Sequence, residues 1–218
     1  MSKPIYPQNS KLESAGFTLV ELMVTVAIMA IIAGLTFGNL NSTSYHLKST
    51  AKTLKANMQK ARLLAVKENC PVYVDFDLED NGGSDGTINT YYCLWKDIDN
   101  DGSFNMIDIN GNTVTNKKDS KEFIEEINLP NNISFGAVTT ANGGPVARPG
   151  GGGTNPATTK ISYSGDIMSF SPQGTSGSGW VYLHAPGNDE AGSHAVGTNN
   201  IGRVRSSYYA TEGGKWIW

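Results

Sequence analysis

Cysteine and histidine are too scarce for the chemistries that depend on them: the 218-residue chain has two Cys and three His. Two thiols exclude a dense disulfide scaffold and a four-thiolate metal site. His46, His184 and His194 are too scattered to define a zinc or nucleophilic site, and no serine sits in a nucleophile elbow. The sequence therefore offers no catalytic residue and is read as a non-enzyme. Charge is also thin, at 17% of residues against 39% hydrophobic, which excludes highly charged disorder. A formal net charge of −3 argues against a globally cationic nucleic-acid binder. Glycine is plentiful: 25 Gly with nine Pro call for many turns and a loop-rich fold.

Order along the chain says more than these means. Residues 17–37, FTLVELMVTVAIMAIIAGLTF, are 21 largely apolar residues, about 31 Å if helical at roughly 1.5 Å per residue. That length spans a hydrocarbon core. The preceding 16 residues are polar and contain Lys3 and Lys11. A conventional secretory peptide would be cut after its apolar run, whereas the unusual junction here comes before it. Glu21 places a lone carboxylate in the run, at a desolvation cost that either snorkelling to the interface or a specific partner must offset.

The segment Ser14-Ala15-Gly16-Phe17-Thr18-Leu19-Val20-Glu21 resembles the processing site and start of a type IV pilin or pseudopilin. The resemblance implies that a prepilin peptidase cuts after Gly16 and that Phe17 becomes the methylated first residue. It gives Glu21 an assembly role, its partner being the new α-amine of a neighbouring subunit. It also implies a single-pass subunit of the bacterial inner membrane with its C-terminal head in the periplasm. The other implied partners are further pilins or pseudopilins and an inner-membrane assembly platform.

Beyond a polar break at Asn41 to Ser44, Leu47, Ala51, Leu54, Met58, Ala61 and Leu64 recur every three to four residues as one apolar face. Lys48, Lys52, Lys55, Lys60, Arg62 and Lys67 occupy other faces, toward solvent or neighbouring subunits, and Cys70-Pro71 ends the pattern. The expected organisation is a leader over 1–16, a nearly continuous helix over 17–69 that spans the membrane over about 17–37, and a head over 70–218. Gly34 and Gly38 either loosen the helix or allow close packing. The head holds nine Lys or Arg against 17 Asp or Glu, a difference of −8.

Strand-like runs fall at 72–78, 91–95, 122–129, 133–138, 161–163, 167–170, 181–184, 204–209 and 215–218. They predict an α+β pilin-like fold, an antiparallel sheet packed over the latter half of the long helix. The Gly-rich stretch 142–156 reads as an exposed loop, since it lacks the Lys-Ser/Thr arrangement of a phosphate cradle. In the stretch from Asp97 to Asp108, residues Asp97, Asp99, Asp101, Asn105 and Asp108 offer oxygen ligands at calcium-loop spacing around Gly102. An ordinary Asx-rich turn is the other reading. No cofactor is required; a structural calcium ion is the one candidate. The oxidising periplasm implied by the resemblance makes Cys70 and Cys93 candidates for a disulfide.

The C-terminal half narrows the resemblance. Phe170, Pro172 and Gly174 match an F-x-P-x-G turn, and Gly202-Arg203-Val204-Arg205 a G-R-x-R segment, in the order found in the GspH/FimT branch of minor pilins and pseudopilins. This implies a structural subunit of a type IV pilus or a type II secretion pseudopilus. In some FimT-like pilins the G-R-x-R segment takes part in DNA uptake. Arg203 and Arg205 are the matching positions, with Lys215 as an extension and Tyr208, Tyr209 or Trp216 for stacking. The alternative is a sheet edge with solvent-facing charge and aromatic core packing.

Overall fold

A computed structural model of the chain describes residues 17–38, 42–80, 82, 88, 90–138, 148–150, 160–211 and 214–218. It divides into two units, Met1–Asn41 and Ser42–Trp218. The first contains helix α1, Leu19–Gly38. Thr18 caps it: its Oγ1 accepts the Glu21 N–H at 3.2 Å and its carbonyl accepts the Leu22 N–H at 3.2 Å. Glu21 lies in the first turn, where a negative charge meets the positive end of the helix dipole. The side chains from Phe17 to Ile32 are all exposed, Phe17 at 83%. Among the described residues, no helix is long and apolar enough to cross a membrane. The segment expected to span is thus observed as a 20-residue helix, apolar all round apart from Glu21 and Thr25 where its side chains are described. Gly34 lies inside it and Gly38 ends it.

The second unit opens with α2, Ser42–Glu68. The expected single helix over 17–69 is therefore seen as two helical elements, with 39–41 outside the described residues. Asn69 ends α2 with a φ of 54°, the left-handed conformation Asn tolerates, and Pro71 prevents continuation. Leu47, Ala51, Leu54, Met58, Ala61 and Ala65 are buried. The face is the expected one, except that Ala65 rather than Leu64 closes it; Leu64 packs at its margin.

The strands are β1 Val72–Asp75, β2 Tyr91–Lys96, β3 Phe123–Asn128, β4 Ser134–Phe135, β5 Ile167–Phe170, β6 Gly179–His184, β7 Ser193–Thr198, β8 Val204–Ala210 and β9 Lys215–Ile217. They form two antiparallel sheets, β3-β2-β1-β5 and β4-β6-β7-β8-β9, where one was expected. Both rest on α2, which packs against β1, β5, β6, β7 and β8. The core joins Leu54 and Met58 of α2 to Val74, Met168, Val181, Leu183 and Val196 of the sheets. The run 133–138 pairs only over β4, and 161–163 contributes a single bridge, Ile161 to Val181.

Polar ties reinforce the helix–sheet contact. Lys60 pairs with Glu125, Lys96 with Glu68 at 2.7 Å, and Asn57 Nδ2 donates to the Tyr92 hydroxyl at 2.8 Å. Some cations assigned to solvent or neighbouring subunits are therefore used within the chain. The expected disulfide is not formed: Cys70 and Cys93 are both free. Strand register explains this. Cys93 lies opposite Asp75, five residues beyond Cys70, about 16 Å at roughly 3.3 Å per residue. A disulfide needs Cα atoms within about 7 Å. Burial pushes the Cys93 thiol up to about 12, so it is a packing residue.

His194 on β7 packs against Tyr208 with ring centroids 4.9 Å apart. Burial, helped by the Lys48 charge, pushes it down to about 4. Burial likewise lowers His184, Lys160 adding to the shift and Asp189 opposing it. A histidine depressed in the folded state contributes stability that is complete above its unfolded value near 6.5 and lost as pH falls toward 4. For His194 this loss is on the order of 2–3 kcal/mol. Urea midpoints should fall across that window, and His194→Phe should flatten the profile; an unchanged slope would refute the assignment.

Candidate functional site

Chemistry-bearing residues gather at three places in the described structure. At the N-terminus, Phe17 and Glu21 are exposed, and Glu21 lies one turn into α1. Gly16 and the leader lie outside the described residues.

The second place brings the two C-terminal motifs together. Phe170 is fully buried on β5, and Gly174 turns with a φ of 75°. Gly202 turns with a φ of 74°, and a Cβ on it would lie 1.9 Å from the Gly174 carbonyl oxygen. Neither position suits a side chain. Arg62 of α2 joins them: its Nε donates to Gly174 O at 3.0 Å and its Nη2 to Ile201 O at 3.4 Å. The glycines of both motifs thus build one junction seated on the helix, a structural role.

The arginines after Gly202 line different cavities. Arg203 lines a cavity with Gln59, Arg62, Leu63 and Val66, whereas Arg205 lines another with Trp180 and Trp218. Both side chains are exposed. Lys215 lies exposed on β9, near Trp216 and Trp218. Of the stacking candidates, Tyr209 is buried against Trp216, with centroids 5.3 Å apart, and Tyr208 packs on His194.

The third place is the acidic loop. Carboxylate oxygens of Asp97, Asp99 and Glu122 lie within 4.8 Å of one another. Asp97 is buried and accepts the Asp101 and Gly102 N–H groups at 3.2 and 2.9 Å. Glu122, also buried, accepts those of Ile98 and Asn105 at 3.2 and 2.7 Å. Burial raises its pKa, the backbone donors oppose that shift, and Asp99 and Asp97 add to it. Asn105 donates its amide to Asp99 and Asp101. Asp108 caps its own turn, accepting from the backbone of Asn110 and Asn112 at 2.8 Å each. Glu122 is the member of the close carboxylate group that spacing alone could not reveal, because it arrives from a different part of the chain.

Lys117 also went unnoticed in a polar stretch. It is fully buried, 3.0 Å from Leu78 O, 3.1 Å from the Tyr91 hydroxyl, 3.1 Å from Glu126 and 3.2 Å from Asp80. Its ammonium lies 4.2 Å from the centre of the Tyr91 ring. Burial alone would lower its pKa, but the hydrogen bonds with Tyr91 and Glu126 outweigh that and raise it.

Residues 13–37 match the model of a family described as the prokaryotic N-terminal methylation motif. No curated protein matches. Among solved structures, the minor pseudopilin EpsH from the type 2 secretion system of Vibrio cholerae is 10% identical with a TM-score of 0.41, over 74% of this chain and 95% of that one. The type IV minor pilin FimU of Pseudomonas aeruginosa, in one crystal form, is 12% identical with a TM-score of 0.41, over 78% and 97%. At such identities these likenesses carry no functional argument. The chain thus joins a methylation motif that opens on an apolar helix to an α+β head of antiparallel sheets on a helix.

Proposed function

We propose that this chain is a minor pilin or pseudopilin of the GspH/FimT type, cut after Gly16 and carried from the inner membrane into a type IV pilus or a type II secretion pseudopilus. The observation that carries the reading is the exposure of every described side chain of α1, in a chain whose other unit has its own core. A helix apolar all round requires lipid or other helices to cover it. The expected span over 17–37 supplies the bilayer-embedded stage, and the Glu21 carboxylate finds its partner in the Phe17 amine of a neighbouring subunit. Glu21→Gln keeps the backbone N–H that Thr18 caps and removes only the charge. It should reduce recovery in sheared filaments about tenfold, the order of one charge-assisted contact, with an unchanged circular dichroism spectrum. Normal incorporation would sink the proposal. Co-purification with a pilus or a secretion complex decides between the two machines.

Structural calcium is a second reading, favoured by the convergence of Asp97, Asp99 and Glu122, two of them buried. Carboxylate oxygens each bonded to one N–H retain lone pairs for a hard cation. Calcium should raise the melting temperature, and Glu122→Gln should abolish that rise. The same substitution should cost about 1–3 kcal/mol without calcium, because an amide N–H would face a backbone N–H. A melting temperature indifferent to calcium would leave an Asx-rich turn.

A further inference from the structure

The outer face of the second sheet carries a cavity of about 380 Å³ that no filament role requires. It lies among Trp180 of β6, Gly197 of β7, Arg205 of β8, Asn199, Ser162 and the final residue, Trp218. The site is built from the strands. A Cβ at Gly197 would lie 2.7 Å from Cε3 of Trp180 and 2.2 Å from the Gly179 carbonyl, so the indole is laid against bare backbone. Trp218 adds a second ring, 5.8 Å away and tilted by 53°. Rings so tilted and so close do not sandwich a flat base between them; they offer an apolar wall to one ring.

Three of its polar side chains have donors to offer. Ser162 Oγ accepts the Trp180 N–H at 2.8 Å and keeps its own proton. Asn199 Oδ1 accepts the Arg203 N–H at 2.9 Å and keeps its amide NH₂. Arg205 is exposed, and no ion pair or hydrogen bond engages it among the described residues. Among the described residues, the cavity lining contains no Asp or Glu. A donor-rich site with an arginine fork calls for a ligand rich in acceptors and carrying a carboxylate, and the indole wall calls for a ring with an apolar face. The volume lies within the range of about 300–1,000 Å³ usual for small-ligand sites.

We propose that this cavity binds an acidic saccharide: a pyranose ring against Trp180 and Trp218, its carboxylate on Arg205 and its hydroxyls on Asn199 and Ser162. A long polyanion is the poorer fit, because the head's excess of eight acidic residues repels it along its length. A single carboxylate inside the cavity is governed by the adjacent guanidinium instead, the more distant charges being screened. The inference goes beyond the filament role and does not depend on it.

The test is titration of the detergent-solubilised full chain with a galacturonate trimer, followed by tryptophan fluorescence and calorimetry. Saturable binding is expected, weakened about tenfold by Arg205→Gln, the loss of a bidentate charged contact. Trp218→Ala, at an exposed terminal position, should weaken it by a similar factor without lowering the melting temperature. Arg203→Gln, in the other cavity, should leave it unchanged. A neutral galactose trimer should bind at least about tenfold more weakly, lacking the carboxylate. The proposal is overturned if the galacturonate trimer shows no saturable binding, or if both cavity variants bind it normally. It is also overturned if single-stranded DNA binds with the same Arg205 dependence while the trimer does not.

Discussion

Gly202→Ala should lower the head's stability by about 3 kcal/mol or more, among the largest effects of any single methyl added to this chain. Two costs combine. Alanine at a φ of 74° pays roughly 1–2 kcal/mol for the left-handed conformation. Its Cβ would also lie 1.9 Å from the Gly174 carbonyl oxygen and 3.1 Å from the Arg62 Nε, so the turns must separate and the helix loses its bond to one of them. For a unit of this size each kcal/mol is worth about 2–4 °C, so the melting temperature should fall by about 6–12 °C. Gly177→Ala is the matched control: a Cβ there meets nothing within 4 Å, and the change should stay within about 0.5 kcal/mol. Equal melting temperatures for the two variants would show that the motif turns are not in contact.

Lys117→Met should cost about 3–5 kcal/mol in urea unfolding, since it removes one partner of a buried ion pair. Glu126, 13% exposed, would lose the cation at 3.1 Å and keep only Lys118 at 2.9 Å. The Leu78 carbonyl and the Tyr91 hydroxyl would also lose a donor. Lys118→Met at the neighbouring position, with its side chain 52% exposed, should shift the urea midpoint far less, because water screens that pair. Similar midpoints for the two variants would mean that Lys117 is not the buried cation of the fold.

Legibility in the sequence followed the range of the interactions. The processing junction is read from contiguous residues, and the buried face of α2 from a regular spacing between Leu47 and Ala61, so both were accessible. β7 was not: Ser193–Thr198 carries only two small apolar residues and a glycine, yet it is central because Gly197 makes room for the Trp180 indole of the next strand. Missing it merged two sheets into one. The acidic loop was half legible, for Asp97 and Asp99 are local to it whereas Glu122 is delivered just before β3. Cys70 and Cys93 paired plausibly by compartment and failed by register. The two C-terminal motifs were visible separately; only the fold shows that their glycines touch.

The Arg62 junction bears on how such a subunit would carry load. A head held by its helix and pulled by neighbours is sheared along the plane where α2 meets the sheets. Apolar contacts resist separation but are non-directional, so they permit sliding. Hydrogen bonds from one guanidinium to Gly174 O and Ile201 O have fixed lengths and directions. They act as a pin through the sliding plane, holding the head at one position along its stem while force passes from one subunit to the next.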